Sequence, residues 1–308
     1  MLSHSYPCCQ TASVSRPPRL SFKITAMLSE SKQRNPRILC LHGFRTSGLI
    51  LRSLITSKWP DTVLRNLDLD FLDGPFPATG KSDIERFYDP PYYEWYQASK
   101  GFREYRNFEE CLDYVEDYMI KHGPFDGLLG FSQGAFLSAA LPGMQEQGKA
   151  LTKVPKVKFL VLISGGKIPG LRFGQPEAAV GAFSSPVRCP SLHFIGERDF
   201  LKTEGEVLVE SFVEPVVIRH TSGHTIPKLE TEAEETVLSF FQRIRKMLSD
   251  EASSKNDGQY NNKRKLRENR NAAVKEKKRF LILPFPVAGE LRRCREKVLS
   301  LVPCVCLG

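Results

Sequence analysis

The sequence predicts an α/β fold, a mostly parallel sheet of about six strands flanked by helices. Three observations carry it. Six short apolar-rich runs recur between residues 37 and 220, and most of them are continuous rather than alternating, as strands covered on both faces are. Stretches with helical spacing separate them, which parallel pairing requires of its crossovers. The composition, 41% apolar and 26% charged over 308 residues, is that of a globular chain able to bury a sizeable core.

The elements follow in order. Residues 1–33 are rich in Ser and Pro, acid-poor and without periodicity, and read as a disordered or targeting extension. An acid-poor, Ser-rich start is also the texture of a plastid or mitochondrial transit peptide, and Met27 offers an alternative start. The expected strands are RILCLHG (37–43), LDLDFLD (67–73), GLLGF (127–131), FLVLIS (159–164), SLHFIG (191–196) and PVVIRH (215–220). Between the second and third, FEECLDYVEDYMIKHG sets Phe108, Cys111, Leu112, Val115, Tyr118 and Met119 on one stripe and stops at Gly123. A last helix starts near Glu230, lines Val237, Leu238, Phe241, Ile244 and Leu248 along one side, and closes a domain expected over 34–249. Residues 250–308 lose apolar content, become strongly basic and read as a largely disordered tail. No internal repeat is present.

The formal charge of +9 is unevenly placed. Residues 243–308 carry 17 basic and 7 acidic side chains, residues 1–29 carry three basic and none acidic, and 24 basic against 28 acidic remain for 30–242. The body is therefore mildly acidic, and any attraction for nucleic acid belongs to the tail. Eight cysteines are scattered without a CxxC pair or a zinc-like His spacing, so reduced thiols in an intracellular protein are expected. The expected compartment is the cytoplasm, with nucleus and plastid as alternatives from the two extensions. No apolar run reaches the ~18 residues of a membrane span, and FLILPFPV is broken by Pro284 and Pro286. Cys306 falls one position too late for a prenylation box.

The chemistry centres on DGLLGFSQGAFLSAA. A Gly-x-Ser-x-Gly match is weak alone, but here Leu128 and Leu129 make a strand before it, and Ala135, Ser138, Ala139 and Ala140 make a small-residue helix face after it. That is the setting of a nucleophile elbow, with Ser132 at the apex and Gly130 and Gly134 where a side chain would strike neighbouring backbone. A serine hydroxyl needs a histidine to take its proton, and the histidine needs a carboxylate to fix its tautomer. In chain order the acid follows the serine and the histidine follows the acid. Asp199, after SLHFIG, and His224, after PVVIRH, fit that order, with Glu197 and His220 as competitors and His193 read as core. Two backbone N–H groups must face the oxyanion: Gln133 supplies one, and Phe44, after the tight turn at Gly43, the other. No cofactor or metal is expected.

Together LCLHGFRTSG (39–48), FLDGPF (71–76), YYEWY (92–96), GPFDGLLGFSQGA (123–135), GERD (196–199) and SGHTIP (222–227) resemble the FSH-type serine hydrolases, a small α/β-hydrolase family. The resemblance covers roughly residues 34–245. It implies an α/β-hydrolase fold and esterase or thioesterase activity on small acyl ester or thioester substrates, with Ser132, Asp199 and His224 as the triad. The basic tail has no counterpart in that pattern.

Nine aromatics crowd residues 76–105, and a segment so placed is expected to wall the mouth of the site, with His42, Tyr92 and Trp95 against substrate. The alternative to an enzyme is a non-catalytic scaffold whose basic tail binds nucleic acid or an import receptor; KR at 263–264 and KEKKR at 275–279 have the spacing of a two-part import signal.

Overall fold

The computed structural model describes residues 34–98, 104–168 and 175–281. Residues 1–33, Phe102, residues 282–287 of FLILPFPV and the prenylation-box positions lie outside the described residues. Every element below lies within residues 35–281.

Strands β1 (Arg37–Leu41) and β2 (Asp68–Leu72) are followed by two short antiparallel pairs, β3 (Phe76–Pro77) with β4 (Tyr93–Glu94) and β5 (Gln97–Ala98) with β6 (Tyr105–Arg106). Then come β7 (Gly127–Phe131), β8 (Phe159–Ile163), β9 (Ser191–Gly196) and β10 (Val216–His220). The six longer strands form one parallel sheet in the order β10-β9-β8-β7-β1-β2. Strands β7, β8 and β9 are buried at every position, which is why their sequences are almost wholly apolar, with Ser191 and His193 of β9 bonded to each other. The edge strand β2, DLDFL, admits Asp68 and Asp70 because one side of it meets water.

Helices α1 (Gly48–Lys58), α2 (Asp61–Leu64), α3 (Phe108–His122), α4 (Gln133–Glu146), α5 (Lys202–Val209) and α6 (Thr231–Leu281) complete the fold. The Ser47 hydroxyl caps α1 by accepting from the Ile50 amide at 3.2 Å. Two apolar layers result. One face packs Phe108, Leu112 and Val115 of α3 with Leu137 and Leu141 of α4; the other packs Leu51 and Ile55 of α1 with Val237, Phe241 and Ile244 of α6. Truncating a ring such as Phe241 to alanine in such a layer costs about 3–5 kcal/mol.

Helix α6 differs from expectation in length. Its start at Thr231 agrees with the sequence pattern, but it continues for 51 residues to Leu281, through the stretch expected to be a disordered tail. The physical reason is local: no proline falls within it, Gly258 is its one glycine, and Lys, Arg, Glu and Ala, all strong helix formers, fill most of its second half. The Arg264–Glu268 pair at 2.9 Å, four residues apart, adds to that preference.

The topology also fixes where a site can form. From β1 the chain moves outward to β2, then returns to β7 on the other side of β1 and proceeds away through β8, β9 and β10. The carboxyl ends of β1 and β7 are thus the switch point, where departing loops diverge and leave a crevice.

Candidate active site

Ser132 follows β7 directly and occupies the turn into α4 with φ 53° and ψ −118°, a conformation that costs an L-residue energy. The surroundings enforce it. A Cβ at Gly134 would collide with the carbonyl oxygens of Leu41 and His42, and one at Gly130 would collide with Gly134 and Ala135, so both flanking positions exclude a side chain. Hydrogen bonds from Ser132 N to Ile163 O (3.0 Å) and from Gly134 N to His42 O (3.1 Å) pin the turn to both neighbouring strands.

Asp199 lies just past β9, and His224 lies on the loop after β10. Gly196, the last residue of β9, lets these loops meet, because a Cβ there would come within 2.7 Å of Ser222 O and 2.9 Å of Gly223 O. His224 Nδ1 is 2.9 Å from Asp199 Oδ1 and 3.2 Å from Oδ2, and His224 Nε2 is 2.9 Å from Ser132 Oγ. A carboxylate only accepts, so Nδ1 carries the proton and Nε2 accepts from the serine hydroxyl. The Asp199 side chain is 1% exposed and that of His224 21%. Burial works against the Asp199 charge, but hydrogen bonds from His224 and the Leu201 amide outweigh it and hold the carboxyl below the ordinary range. The rings of Phe131 and Phe200 lie 5.2 and 4.5 Å from the His224 ring, centroid to centroid; Phe200 is 70% exposed.

Neither competitor is hydrogen-bonded to Ser132, Asp199 or His224. Glu197 pairs with Lys202 at 2.7 Å and Arg219 at 3.5 Å, and His193 is buried against Ser191 Oγ at 2.9 Å. His220 ends β10 with both ring nitrogens buried and without a hydrogen-bond partner. Lys58, at the end of α1, steadies the loop beyond His224 by donating to Thr225 Oγ1 (2.7 Å) and Ile226 O (2.8 Å).

The expected pocket wall requires a correction. His42 and Trp95 are fully buried, and they tie loops together instead of facing a substrate. The Gly74 amide donates to His42 Nε2 at 2.8 Å, so the ring proton sits on Nδ1 and donates to Gly43 O at 2.7 Å, where Thr46 Oγ1 also donates at 2.9 Å. Burial pushes His42 from 6.5 down to about 4 and keeps the neutral ring that this pattern needs. A trans peptide directs its N–H opposite its carbonyl, so anchoring Gly43 O fixes which way the Phe44 N–H points. Gly43 lies against the elbow: a Cβ on it would be 3.4 Å from Ser132 Cβ. Tyr92 is half-buried and its hydroxyl donates to Tyr88 O.

Gln133 carries a role that its place in the motif did not announce. Its backbone N–H belongs to the first turn of α4, where no helical carbonyl is available. Its side chain accepts from Trp95 N at 3.1 Å and donates to Tyr96 O at 2.8 Å, and Trp95 Nε1 donates to His42 O at 2.8 Å. Arg45 joins the same segment to the loop after β1 through Glu94, at 2.8 Å. No periodic signal in YYEWY foretold this packing: Glu94, Trp95 and Tyr96 are all buried, one after another.

Among the described residues no cluster of three or more His, Cys, Asp or Glu side chains is arranged to hold a metal ion, and no helix is long and apolar enough to cross a membrane. A family model described as serine hydrolase (FSH1) matches residues 31–236. Esterase OVCA2 of Bos taurus is 31% identical over 210 residues, spanning 62% of this chain and 89% of that protein. Esterase FUS5 of Gibberella fujikuroi is 30% identical over 200 residues, spanning 62% of this chain and 80% of that protein. Among solved structures, Zea mays acyl-protein thioesterase 2 is similar over 68% of this chain and 96% of that one, at 18% identity and a TM-score of 0.45. With the family model spanning more than half of its length, from before β1 into α6, the chain belongs to the FSH1 family of serine hydrolases.

Proposed function

We propose that the chain cleaves small acyl esters or thioesters, with Ser132 as nucleophile, His224 as general base and acid, and Asp199 as the group that orients His224. The observation that carries this is the unbroken relay Ser132 Oγ, His224 Nε2, His224 Nδ1, Asp199 Oδ1, with each link at 2.9 Å. Ser132 Oγ attacks the acyl carbonyl carbon as its proton passes to His224 Nε2, and the carbonyl π pair moves to oxygen. The backbone N–H groups of Gln133 and Phe44 receive that oxyanion; one such donor is worth ~10²–10³ in rate. On collapse the alcohol or thiol leaves with the proton from His224. Water, deprotonated by the same nitrogen, then releases the acid and restores Ser132. Asp199 stays ionised throughout and stabilises the imidazolium.

The names of the relatives, both esterases, favour ester over peptide substrates. The exposed Phe200 ring beside His224 offers apolar contact to an acyl group. Residues 34–249 are the catalytic domain in this reading. The test is a panel of p-nitrophenyl esters and acyl thioesters of graded chain length. Turnover by wild type that vanishes in Ser132→Ala is the expected result; equal turnover by both would remove Ser132 from the mechanism.

A further inference from the structure

The second half of α6 bears a surface that the chemistry at Ser132 does not use. Lys263, Leu266, Arg267, Arg270, Ala273 and Val274 follow one another at helical spacings of three and four, so they share one face, and all six are exposed. Leu266 is 61% and Val274 51% exposed, although the first half of the same helix buries Val237, Phe241 and Ile244. Glu268, the one acid between Lys263 and Val274, stands on the opposite side, paired with Arg264. Residues 263–279 carry nine basic and two acidic side chains, on a chain whose span 30–242 has more acids than bases.

We propose that this face of α6 docks on an anionic phospholipid bilayer and lies in the plane of the headgroups. Leu266, Ala273 and Val274 dip toward the acyl boundary, while Lys263, Arg267 and Arg270 reach lipid phosphates with their charged ends and cover apolar surface with their stems. Charge complementarity selects the lipid, and the apolar residues within the same face select a bilayer over a nucleic acid. A phosphate backbone gains nothing from Leu266 and Val274, and residues 261–279 contain no aromatic side chain to stack on a base. Lys263 to Val274 spans roughly 18 Å of helix, enough for several headgroups.

The test is co-sedimentation of the full chain with vesicles of phosphatidylcholine alone and of phosphatidylcholine mixed with phosphatidylserine. The account expects binding to the mixed vesicles at least about tenfold tighter than to the neutral ones, weakening as salt rises. Arg267→Glu with Arg270→Glu should abolish it. Leu266→Ser with Val274→Ser should weaken it severalfold with the charge unchanged. Both double variants should retain wild-type helicity by circular dichroism and wild-type labelling of Ser132, which separates loss of docking from loss of fold or of the hydrolase site. Equal binding to neutral vesicles, no binding to mixed ones, indifference to the Leu266 and Val274 changes, or tighter binding to an RNA duplex than to mixed vesicles would each overturn the proposal.

Discussion

Two segments meet beside Ser132 and are held by different means. The elbow, Gly130 to Gly134, is fixed by backbone: its glycines touch neighbouring main chain, and strands on both sides supply its hydrogen bonds. The segment Tyr93–Tyr96 has backbone pairing only at its start, where Tyr93 and Glu94 meet Phe76, Pro77 and Thr46; the rest is held by side chains, through Gln133 to Trp95 N and Tyr96 O, Arg45 to Glu94, and Trp95 to His42 O. The difference teaches what a short motif encodes. Backbone sterics leave a signature of glycines at set spacing, whereas a side-chain lattice leaves only residue types that many packings accept.

Changes on the two sides should therefore fail differently. The largest effect belongs to the elbow. Gly134→Ala drives a methyl into the Leu41 and His42 carbonyls, so a loss of several kcal/mol in urea melts and no reaction with an active-site probe are expected.

Lowering the pH should act next, through the lattice. His42 is held near 4 and His193 near 3 by burial, both below the usual 6.5, so the unfolded chain takes up protons that the folded one refuses. The stability that their neutrality contributes is complete above pH 6.5 and is lost as pH falls toward 4, with His42 alone accounting for about 3 kcal/mol. Denaturant melts across that window measure the loss, and His42→Asn should flatten the curve.

Gln133→Ala comes third. It keeps the backbone N–H proposed to face the oxyanion but strands Trp95 N and Tyr96 O, so a cost of about 2 kcal/mol in stability should accompany less than about a tenfold fall in kcat. A fall as deep as that of Ser132→Ala would merge the two segments into one device. The smallest effect is expected from ending the chain after residue 249, because the side chains described from Ala252 to Val274 are exposed: activity on a soluble ester should stay within about twofold.

Legibility in the sequence followed the same divide. The six sheet strands fall within two residues of their expected limits, because a parallel sheet covered on both faces demands short runs rich in apolar residues. The three side chains that the order Ser, acid, His selects are the three that meet in space. The strands β3 to β6 escaped, since two-residue pairings have no period to detect. His42 and Trp95 were expected at a pocket wall because aromatic density signals apolar surface but not which way it faces; the acceptor at Gly43 O and the donor at Gly74 N turn His42 inward, and the acceptor at His42 O does the same for Trp95. The length of α6 was missed because a polar, charged tract has the composition of disorder and of a solvated helix alike.

The most direct test of the central claim is covalent labelling with a fluorophosphonate, which reacts with a serine whose hydroxyl is activated by its own base. Wild type should label stoichiometrically, Asp199→Asn should label about a thousandfold more slowly, and folded Ser132→Ala should not label. Folded wild type that fails to label, or Ser132→Ala that labels as wild type does, would contradict the account.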